Sequence, residues 1–317
     1  MNQKIRSKLI KPSTKSFYRE GKRLSNYSFP DWLYGYVYSR WAYFYIGVAT
    51  GEHRLSRIVS RLWNTLSPLL FSHSNEGKNS QKANFANTYH GKVVPLEEAS
   101  RLVTLNRSIN LGDLEQVIPY TRAREIVLRN PDHIVVLDCP CRASRPNPCL
   151  PLDVCLIIGE PFASFIVEHH PKRARWIRSQ EAVDILKAED ERGHVHHAFF
   201  KDAMLGRFYA ICNCCACCCG AMQANRNGIP MLASSGYLIQ IDHEKCQGCG
   251  ECIEFCQFKA LNLENGNLVV DKEKCMGCGA CITKCKHHAH SLVRAPEKGI
   301  PLEIQKLMEQ AERKEDI

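Results

Sequence analysis

The chain has 317 residues, with 42 Lys and Arg against 33 Asp and Glu, and a formal net charge of +9. This length allows about two domains. Eighteen cysteines would suggest disulfides in a small secreted protein, but the chain is long and shows no convincing secretion signal. We therefore expect reduced thiols in a cytoplasmic protein of an organism that lives with little oxygen.

Residues 1–90 are predicted to form a helical, basic arm, an aromatic helix and a polar linker. Residues 1–30 carry eight Lys or Arg against one acid, Glu20. Residues 32–48 are rich in tyrosine with Arg40 at their centre, which suits a membrane interface better than a hydrocarbon core. This region would dock on an anionic membrane surface, at the inner face of the membrane, or on an acidic partner; the alternative is a helix packed on the protein's own core. Residues 71–88 have the polar composition of a linker.

Residues 91–235 are predicted to form a Cys-rich domain of mixed helices and strands. Residues 95–106 have helical spacing, and residues 118–128 predict a second helix that ends near Asn130. The apolar run 134–137 predicts a buried strand. A third helix is predicted over residues 180–192, followed by a strand at 198–200.

Ten cysteines lie in two stretches, one after the apolar run 134–137 and one directly after Ile211, and match no established ligand spacing. They are Cys139, Cys141, Cys149, Cys155, Cys212, Cys214, Cys215, Cys217, Cys218 and Cys219. Three interpretations are open: both loops converge on a third iron–sulfur cluster, or Cys139, Cys141 and two later cysteines bind Zn²⁺, or the cysteines act as small apolar side chains. Their concentration in two loops favours the cluster.

Charged and titratable side chains accompany these cysteines. Arg142 would hydrogen-bond cluster sulfur or an anionic substrate, or else form an ion pair with a nearby acid. The histidines that could face the cysteines are His169, His170, His194, His196 and His197, of which His196 and His197 are best placed.

Eight further cysteines form two copies of the spacing C-x2-C-x2-C-x3-C. The first copy is Cys246, Cys249, Cys252 and Cys256, and the second is Cys275, Cys278, Cys281 and Cys285. This doubled spacing is typical of two cubane iron–sulfur clusters, whereas a single pair would also suit zinc. Residues 260–270 between the copies predict a hairpin that turns at Asn265-Gly266.

Residues 236–295 resemble the bacterial two-[4Fe-4S] ferredoxin domain. In such tandem motifs the fourth cysteine of each run ligates the other cluster. One cluster is then bound by Cys246, Cys249, Cys252 and Cys285, and the other by Cys275, Cys278, Cys281 and Cys256. The family's proline after each fourth cysteine is replaced by Gln257 and Lys286. Lys286 and the histidines at 287, 288 and 290 are expected to place charge near the second cluster.

Residues 90–295 as a whole look like a group of anaerobe iron–sulfur proteins that add a Cys-rich N-terminal domain to this module. Residues 296–317 are predicted to form a helical tail, and the fold class is α+β. No nucleotide-binding motif is present, so electrons are expected to come from a redox partner such as a ferredoxin or flavoprotein. The net charge alone does not indicate nucleic-acid binding.

Two functions are open. In the first, the chain is an electron-transfer protein whose Cys-rich domain is a docking scaffold with a structural metal. In the second, it is an oxidoreductase in which the two clusters feed a third, Cys-rich site that reduces a substrate.

Overall fold

The computed structural model describes residues 10–58, 61, 82, 85–112 and 114–315. Most of the predicted linker and the first nine residues of the basic arm lie outside the described residues. The chain mixes helices and strands, as predicted from the sequence.

A sheet of eight strands forms the centre of the Cys-rich domain. Its strands are β1 Tyr89–Val93, β2 Ile109–Leu111, β3 Ile126–Asp138, β4 Asp153–Glu160, β5 Ala174–Ile177, β6 Val195–Lys201, β7 Arg207–Cys214 and β8 Leu232–Ala233. Seven of them lie in the order β2-β3-β4-β7-β6-β1-β8. The eighth, β5, pairs with residues 134–137 of the long strand β3, whereas β2 pairs with residues 126–128. Neighbours are antiparallel except β1 and β8. The predicted strands at 134–137 and 198–200 are confirmed within β3 and β6.

Helices cover both faces of this sheet, because each face is apolar and buries its side chains against them. One face packs against α4 Leu96–Val103, α7 Ser179–Glu191 and α10 Ile304–Glu315. The opposite face, which we call the cysteine face, packs against α1 Pro12–Gly21, α2 Phe29–Arg40, α3 Ala42–Ala49 and α6 Phe162–His169. Of two short helices, α5 Pro140–Ala143 begins after Cys139 and contains Cys141, and α8 Gly220–Arg226 follows the loop that ends at Cys219. The predicted helices at 95–106 and 180–192 correspond to α4 and α7.

The aromatic stretch is two helices that pack on the protein's own core. A capping box between Ser28 and Asp31 starts α2, and the chain breaks at Trp41 before α3 begins. The buried side is formed by Tyr38, Ala42 and Ile46 on the cysteine face. The opposite side exposes large apolar side chains: Phe29, Leu33, Val37, Trp41 and Phe44. Among the described residues, no helix is both long and apolar enough to span a bilayer.

The predicted helix at residues 118–128 is wrong. Pro119 and the residues after it form turns, and β3 begins at Ile126. The apolar residues Ile126 and Leu128 point to the same side of a strand and pair with Leu111 and Ile109 of β2. The apolar residues at the end of this segment therefore repeat at every second position, as in a strand, and not at every third or fourth, as in a helix.

The C-terminal module contains two small sheets around its own core. Strands β9 Tyr237–Ile241 and β12 His290–Arg294 pair, and β10 Leu261–Glu264 and β11 Asn267–Val270 form the predicted hairpin. Asn265 and Gly266 have φ values of 51° and 82°, as a tight turn of this kind requires. A one-turn helix, α9 Glu251–Glu254, follows the first cysteine loop.

Candidate functional site

The eight cysteines of the C-terminal module line two separate small cavities. The first cavity is lined by Cys246, Cys249, Cys252 and Cys285. The second is lined by Cys256, Cys275, Cys278 and Cys281. The structure thus brings the fourth cysteine of each run to the other run's cavity, which is the grouping predicted from the sequence. That these thiols are cluster ligands stays a prediction.

Two glycines allow the backbone to pack closely around the cavities. Gly248 and Gly277 have φ values of 62° and 60°. A Cβ would lie 2.3 Å from the Gly266 carbonyl oxygen at Gly248, and 2.1 Å from the Tyr237 carbonyl oxygen at Gly277. Only glycine fits such positions.

Backbone N–H groups also approach the fourth cysteine of each run. The N–H of Ala260 lies 3.2 Å from Sγ of Cys256, and the N–H of Ala289 lies 3.3 Å from Sγ of Cys285. Such N–H···S contacts stabilise a thiolate that carries metal charge. The residues present therefore fit a [4Fe-4S] cluster in each cavity.

Burial makes two of the module's thiols weaker acids than a free cysteine. Burial raises the pKa of Cys252 to about 11 and that of Cys278 to about 12. Metal ligands must be thiolates, so these cysteines release protons when they bind a cluster.

The basic residues after Cys285 lie near the first cavity, which corrects the prediction that they would lie near the second cluster. His287 and His290 line the first cavity together with Lys284. Lys286 and His288 are not part of that lining, but Lys286 pairs at 2.9 Å with Glu251, which is. The reason is that Cys285 belongs to the first cavity, so the residues that follow it stay there.

The second cavity faces the Cys-rich domain. Met276 and Phe258, which line this cavity, also pack against the core of the cysteine face. Ser235 connects the two parts, because its N–H donates to the Met276 carbonyl at 3.1 Å and its hydroxyl donates to the Gly277 carbonyl at 2.6 Å.

Both the oxygen and the nitrogen of the Gln257 side-chain amide form hydrogen bonds to the Cys-rich domain. Its Oε1 accepts a hydrogen bond from the N–H of Ala216 at 2.7 Å, and its Nε2 donates to the Gly193 carbonyl at 2.9 Å. Gln257 follows Cys256 of the second cavity, and Ala216 lies between Cys215 and Cys217. The residue that replaces the ferredoxin proline therefore connects the two cysteine regions.

The ten upstream cysteines separate into two groups, which the sequence did not predict. One group, which we call the tetrathiol group, consists of Cys149, Cys215, Cys217 and Cys218; their Sγ atoms all lie within 4.8 Å of one another. The other six line a cavity and form what we call the six-thiol wall: Cys139, Cys141, Cys155, Cys212, Cys214 and Cys219. Cys215 also borders that cavity, so the two groups adjoin. The tetrathiol group contains neither Cys139 nor Cys141, the residues named for a zinc site.

The thiols of Cys149 and Cys217 in the tetrathiol group differ in acidity. Burial raises the pKa of Cys149 to about 12. At Cys217 burial acts in the same direction, but hydrogen bonds from the thiols of Cys149, Cys215 and Cys218 outweigh it and lower the pKa. The Sγ atoms of Cys149 and Cys217 are 3.0 Å apart.

The cavity behind the six-thiol wall has a volume of about 300 Å³. Apolar and aromatic side chains form most of its surface, including Tyr38, Tyr45, Tyr89 and Tyr209. The six thiols form one continuous chain of contacts. Cys139 interacts with both Cys141 and Cys155, and these two interact with Cys219 and Cys212. Sγ of Cys219 lies 3.2 Å from Sγ of Cys214, at the end of the chain. The hydrogen bond with Cys141, together with burial, raises the pKa of Cys139 to about 12.

Arg142 forms the ion pair that was one of its two predicted roles. Its guanidinium bonds to Glu189, and also donates to the carbonyls of Pro151 at 2.6 Å and Asn213 at 3.1 Å. Burial opposes the charge on Arg142, but Glu189 raises its pKa. The charge is thus neutralised inside the protein, and Arg142 holds α5 and β7 together.

Four of the five candidate histidines have partners that explain them structurally. His169 bonds to Thr14, His170 to the Ser39 carbonyl, His194 to Glu189 and His196 to Asn213.

His197 differs from the other four. It is fully buried, and neither ring nitrogen has a hydrogen-bond partner among the described residues. Burial lowers its pKa to about 3. Strand pairing puts His197 opposite Cys212 of the six-thiol wall.

Sequence reasoning missed a buried lysine beside the cavity. Lys201 is 1 % exposed, and its ammonium lies 4.3–5.9 Å from the ring centroids of four tyrosines: Tyr34, Tyr38, Tyr45 and Tyr89. Its Nζ donates to the Tyr34 hydroxyl at 3.3 Å. The sequence shows tyrosines at positions 34, 36 and 38, but nothing in it indicates that such tyrosines surround Lys201.

Comparison with known proteins identifies the C-terminal segment. Residues 238–286 match the family model of the 4Fe-4S dicluster domain. A stretch of 34 residues, 11 % of this chain, is 44 % identical to Ferredoxin-2 of Desulfomicrobium norvegicum and spans 58 % of that protein. No solved structure matches the chain. The segment is therefore of the ferredoxin 4Fe-4S type, as the spacing of its cysteines predicted.

Proposed function

We propose that this chain is an iron–sulfur electron-transfer protein that carries two [4Fe-4S] clusters in its C-terminal module. The ferredoxin-type segment and the two four-cysteine cavities support this proposal. Each cluster, when bound, supplies a one-electron couple. The thiols of each cavity would hold it, the glycines at 248 and 277 allow the backbone to approach it, and the N–H groups of Ala260 and Ala289 stabilise the thiolates.

We propose further that electrons pass from the second cluster to a third iron–sulfur cluster, which the six-thiol wall of the Cys-rich domain would hold and which would accept them. The observation that carries this step is the bridge from Gln257 to Ala216, at 2.7 Å, between the loop of Cys256 and the loop of Cys215 and Cys217. In the first cavity, Cys249 is exposed to solvent. A redox partner such as a ferredoxin or flavoprotein would exchange electrons there.

Metal analysis tests the cluster count. Protein purified without oxygen should contain about eight iron atoms and eight sulfides in its module, the content of two four-iron clusters. Cys246→Ser should remove the signal of one cluster in electron paramagnetic resonance, and Cys278→Ser that of the other. Loss of both signals in either variant with normal folding would contradict two separate ligand sets.

The bridge has a matched control within the chain. Gln257→Ala removes both amide hydrogen bonds, whereas Lys286→Ala changes the equivalent position of the other motif. We expect Gln257→Ala to keep both clusters, to raise hydrogen exchange at Ala216, and to slow electron transfer from the module to the Cys-rich domain. Lys286→Ala should alter none of these properties. Equal transfer rates in both variants would refute the route through Gln257.

The second candidate function is that of a reductase with its substrate in the cavity behind the six-thiol wall. The observation that favours it is the presence of these thiols beside a cavity of about 300 Å³, a size typical of small ligand pockets. Cys139→Ser and Cys155→Ser test whether the wall binds a further cluster. A loss of about four irons per chain, with the module's signals unchanged, would support the reductase; unchanged iron would leave the electron carrier.

We also propose that α2 and α3 contact an anionic membrane surface. Their exposed apolar side chains and the excess of basic residues in positions 1–30 support this.

A further inference from the structure

The tetrathiol group is close enough to share one metal ion. Zinc–sulfur bonds of about 2.3 Å in a tetrahedral site put the sulfur atoms about 3.8 Å apart. The Sγ atom of Cys217 lies 3.0 Å from that of Cys149 and 3.6 Å from that of Cys218. All four Sγ atoms are within 4.8 Å of one another. Their spacing is therefore that of ligands to a single ion.

The cysteines of the C-terminal module provide an internal comparison. Across the part of the chain that the structure describes, no other three thiols are mutually within 4.8 Å. In a cubane cluster each thiolate binds a different iron, so the sulfurs stand further apart than around one ion. The same structure thus distinguishes cysteine sets that fit a cluster from one that fits a mononuclear site.

The surroundings of the four cysteines fix the positions of their loops. Cys149 lies in a loop in which Pro146, Pro148 and Pro151 restrict the backbone. The N–H of Cys149 donates to Sγ of Cys218 at 3.5 Å, and Arg145 donates to the Cys218 carbonyl at 3.1 Å. Hydrogen bonds of this kind orient ligands around a metal.

We propose that Cys149, Cys215, Cys217 and Cys218 bind one structural Zn²⁺ ion. Four protein thiolates complete a tetrahedral site and leave no position for substrate. The ion would join the loop of Cys149 to the loop of residues 214–219, and so fix Ala216 where Gln257 bonds to it. The proposal also explains why ten cysteines are present: four serve this ion, and the six-thiol wall is left for the cavity. It does not depend on the proposed electron transfer.

Zinc content and coordination test this proposal on the full chain purified without oxygen. We expect about one zinc per chain, and X-ray absorption at the zinc edge should show four sulfur neighbours at about 2.3 Å. Cys149→Ser should lose most of the zinc while the two ferredoxin-type signals in electron paramagnetic resonance persist. Cys155→Ser, which changes a buried thiol of the six-thiol wall, should keep the zinc.

The outcomes separate this site from the clusters. Zinc bound with fewer than four sulfurs, zinc retained in Cys149→Ser, or four additional irons in place of zinc would each overturn the proposal. The absorption measurement on the unchanged protein decides the matter even where a variant fails to fold. Absence of the module's clusters would refute the electron-transfer function and leave the zinc result intact.

Discussion

Arg142 and Glu189 form an ion pair whose side chains are 1 % and 0 % exposed. Burial raises the pKa of the Glu189 carboxyl, but hydrogen bonds from His194 and Arg142 outweigh it and hold that pKa below its ordinary value. Removing one partner of such a pair leaves an uncompensated charge in the interior. The pair ties the loop of Cys139 and Cys141 to α7.

We expect Glu189→Gln to lower the free energy of unfolding by roughly 3–5 kcal/mol. The control lies in the same helix: Glu181 pairs with Arg175 at 2.6 Å, with side chains 44 % and 51 % exposed. Glu181→Gln should cost less than about 1 kcal/mol. Urea unfolding without oxygen measures both, and equal effects would show that the buried pair is not the source of the stability.

Gly277 is predicted to be essential for the second cluster. An alanine Cβ there would lie 2.1 Å from the Tyr237 carbonyl oxygen, in a backbone conformation that already disfavours alanine. We expect Gly277→Ala to lose about four irons per chain. Gly299 provides the control, because its φ is also positive, at 88°, but no atom lies within 4 Å of an added Cβ. The Gly299→Ala protein should keep its iron. Iron loss in both variants would mean that φ, not contact, is limiting.

Lys201 is predicted to make stability depend on pH. Burial lowers its pKa from 10.5 to about 7, while four tyrosine rings favour the charged form. Between about pH 7 and 9 the unfolded chain holds a proton on this lysine that the native chain lacks, so Lys201 makes the free energy of unfolding rise with pH. Above pH 9.0, the ordinary pKa of cysteine, buried thiols with raised pKa values such as Cys139 act in the opposite direction.

Lys201→Met should remove most of that rise, as measured by urea unfolding at several pH values. What remains is expected from Lys92, whose pKa burial lowers to about 8. The exposed Lys187 provides a control, and Lys187→Met should leave the rise unchanged. An unaltered pH profile in Lys201→Met would show that its ammonium stays charged in the native protein.

Lys284 is predicted to set the potential of the first cluster. Lys284 is one of the residues that line the first cavity, and its ammonium donates to the Glu191 carbonyl, which carries no net charge. Lys286 lies outside that lining, and the carboxylate of Glu251 neutralises its charge. A nearby cation favours the reduced, more negative cluster, so Lys284→Met should make that potential more negative by roughly 20–40 mV. Lys286→Met should change it less. Redox titration followed by electron paramagnetic resonance measures both, and a larger shift in Lys286→Met would refute the assignment.

The sequence predicted local features well because their partners lie close in the chain. The hairpin at Asn265-Gly266 and the cysteine loops of the module each depend on residues within about a dozen positions. The helix predicted at residues 118–128 was wrong because its last three residues begin strand β3. Their pairing with β2 determines their conformation.

The division of the upstream cysteines could not be predicted for a related reason. Cys149 meets Cys217 across 68 positions of sequence, and only the antiparallel pairing of β4 with β7 brings their loops together. No spacing rule covers such a distance. Likewise Gln257 could be recognised as a departure from the ferredoxin pattern, but its partner Ala216 is 41 residues away.

The exposed side of α2 and α3 is predicted to bind membranes that contain anionic lipid. Leu33 and Phe44 are 44 % and 45 % exposed there, and residues 1–30 carry eight basic side chains against one acid. Full burial of an apolar side chain in the interface contributes about 1.5–3 kcal/mol, so the double variant Leu33→Ser/Phe44→Ser should lower binding about tenfold or more. Sedimentation with vesicles that contain phosphatidylserine measures this binding.

Two comparisons make the membrane result specific. Trp176 is equally exposed, at 46 %, on strand β5, and Trp176→Ser should bind like the unchanged protein. Neutral vesicles of phosphatidylcholine should bind the protein weakly, and added salt should weaken binding to the anionic ones because it screens the basic residues. If the double variant and the unchanged protein sediment alike, the apolar side chains of α2 and α3 do not enter the membrane, and a protein partner becomes the better explanation for their exposure.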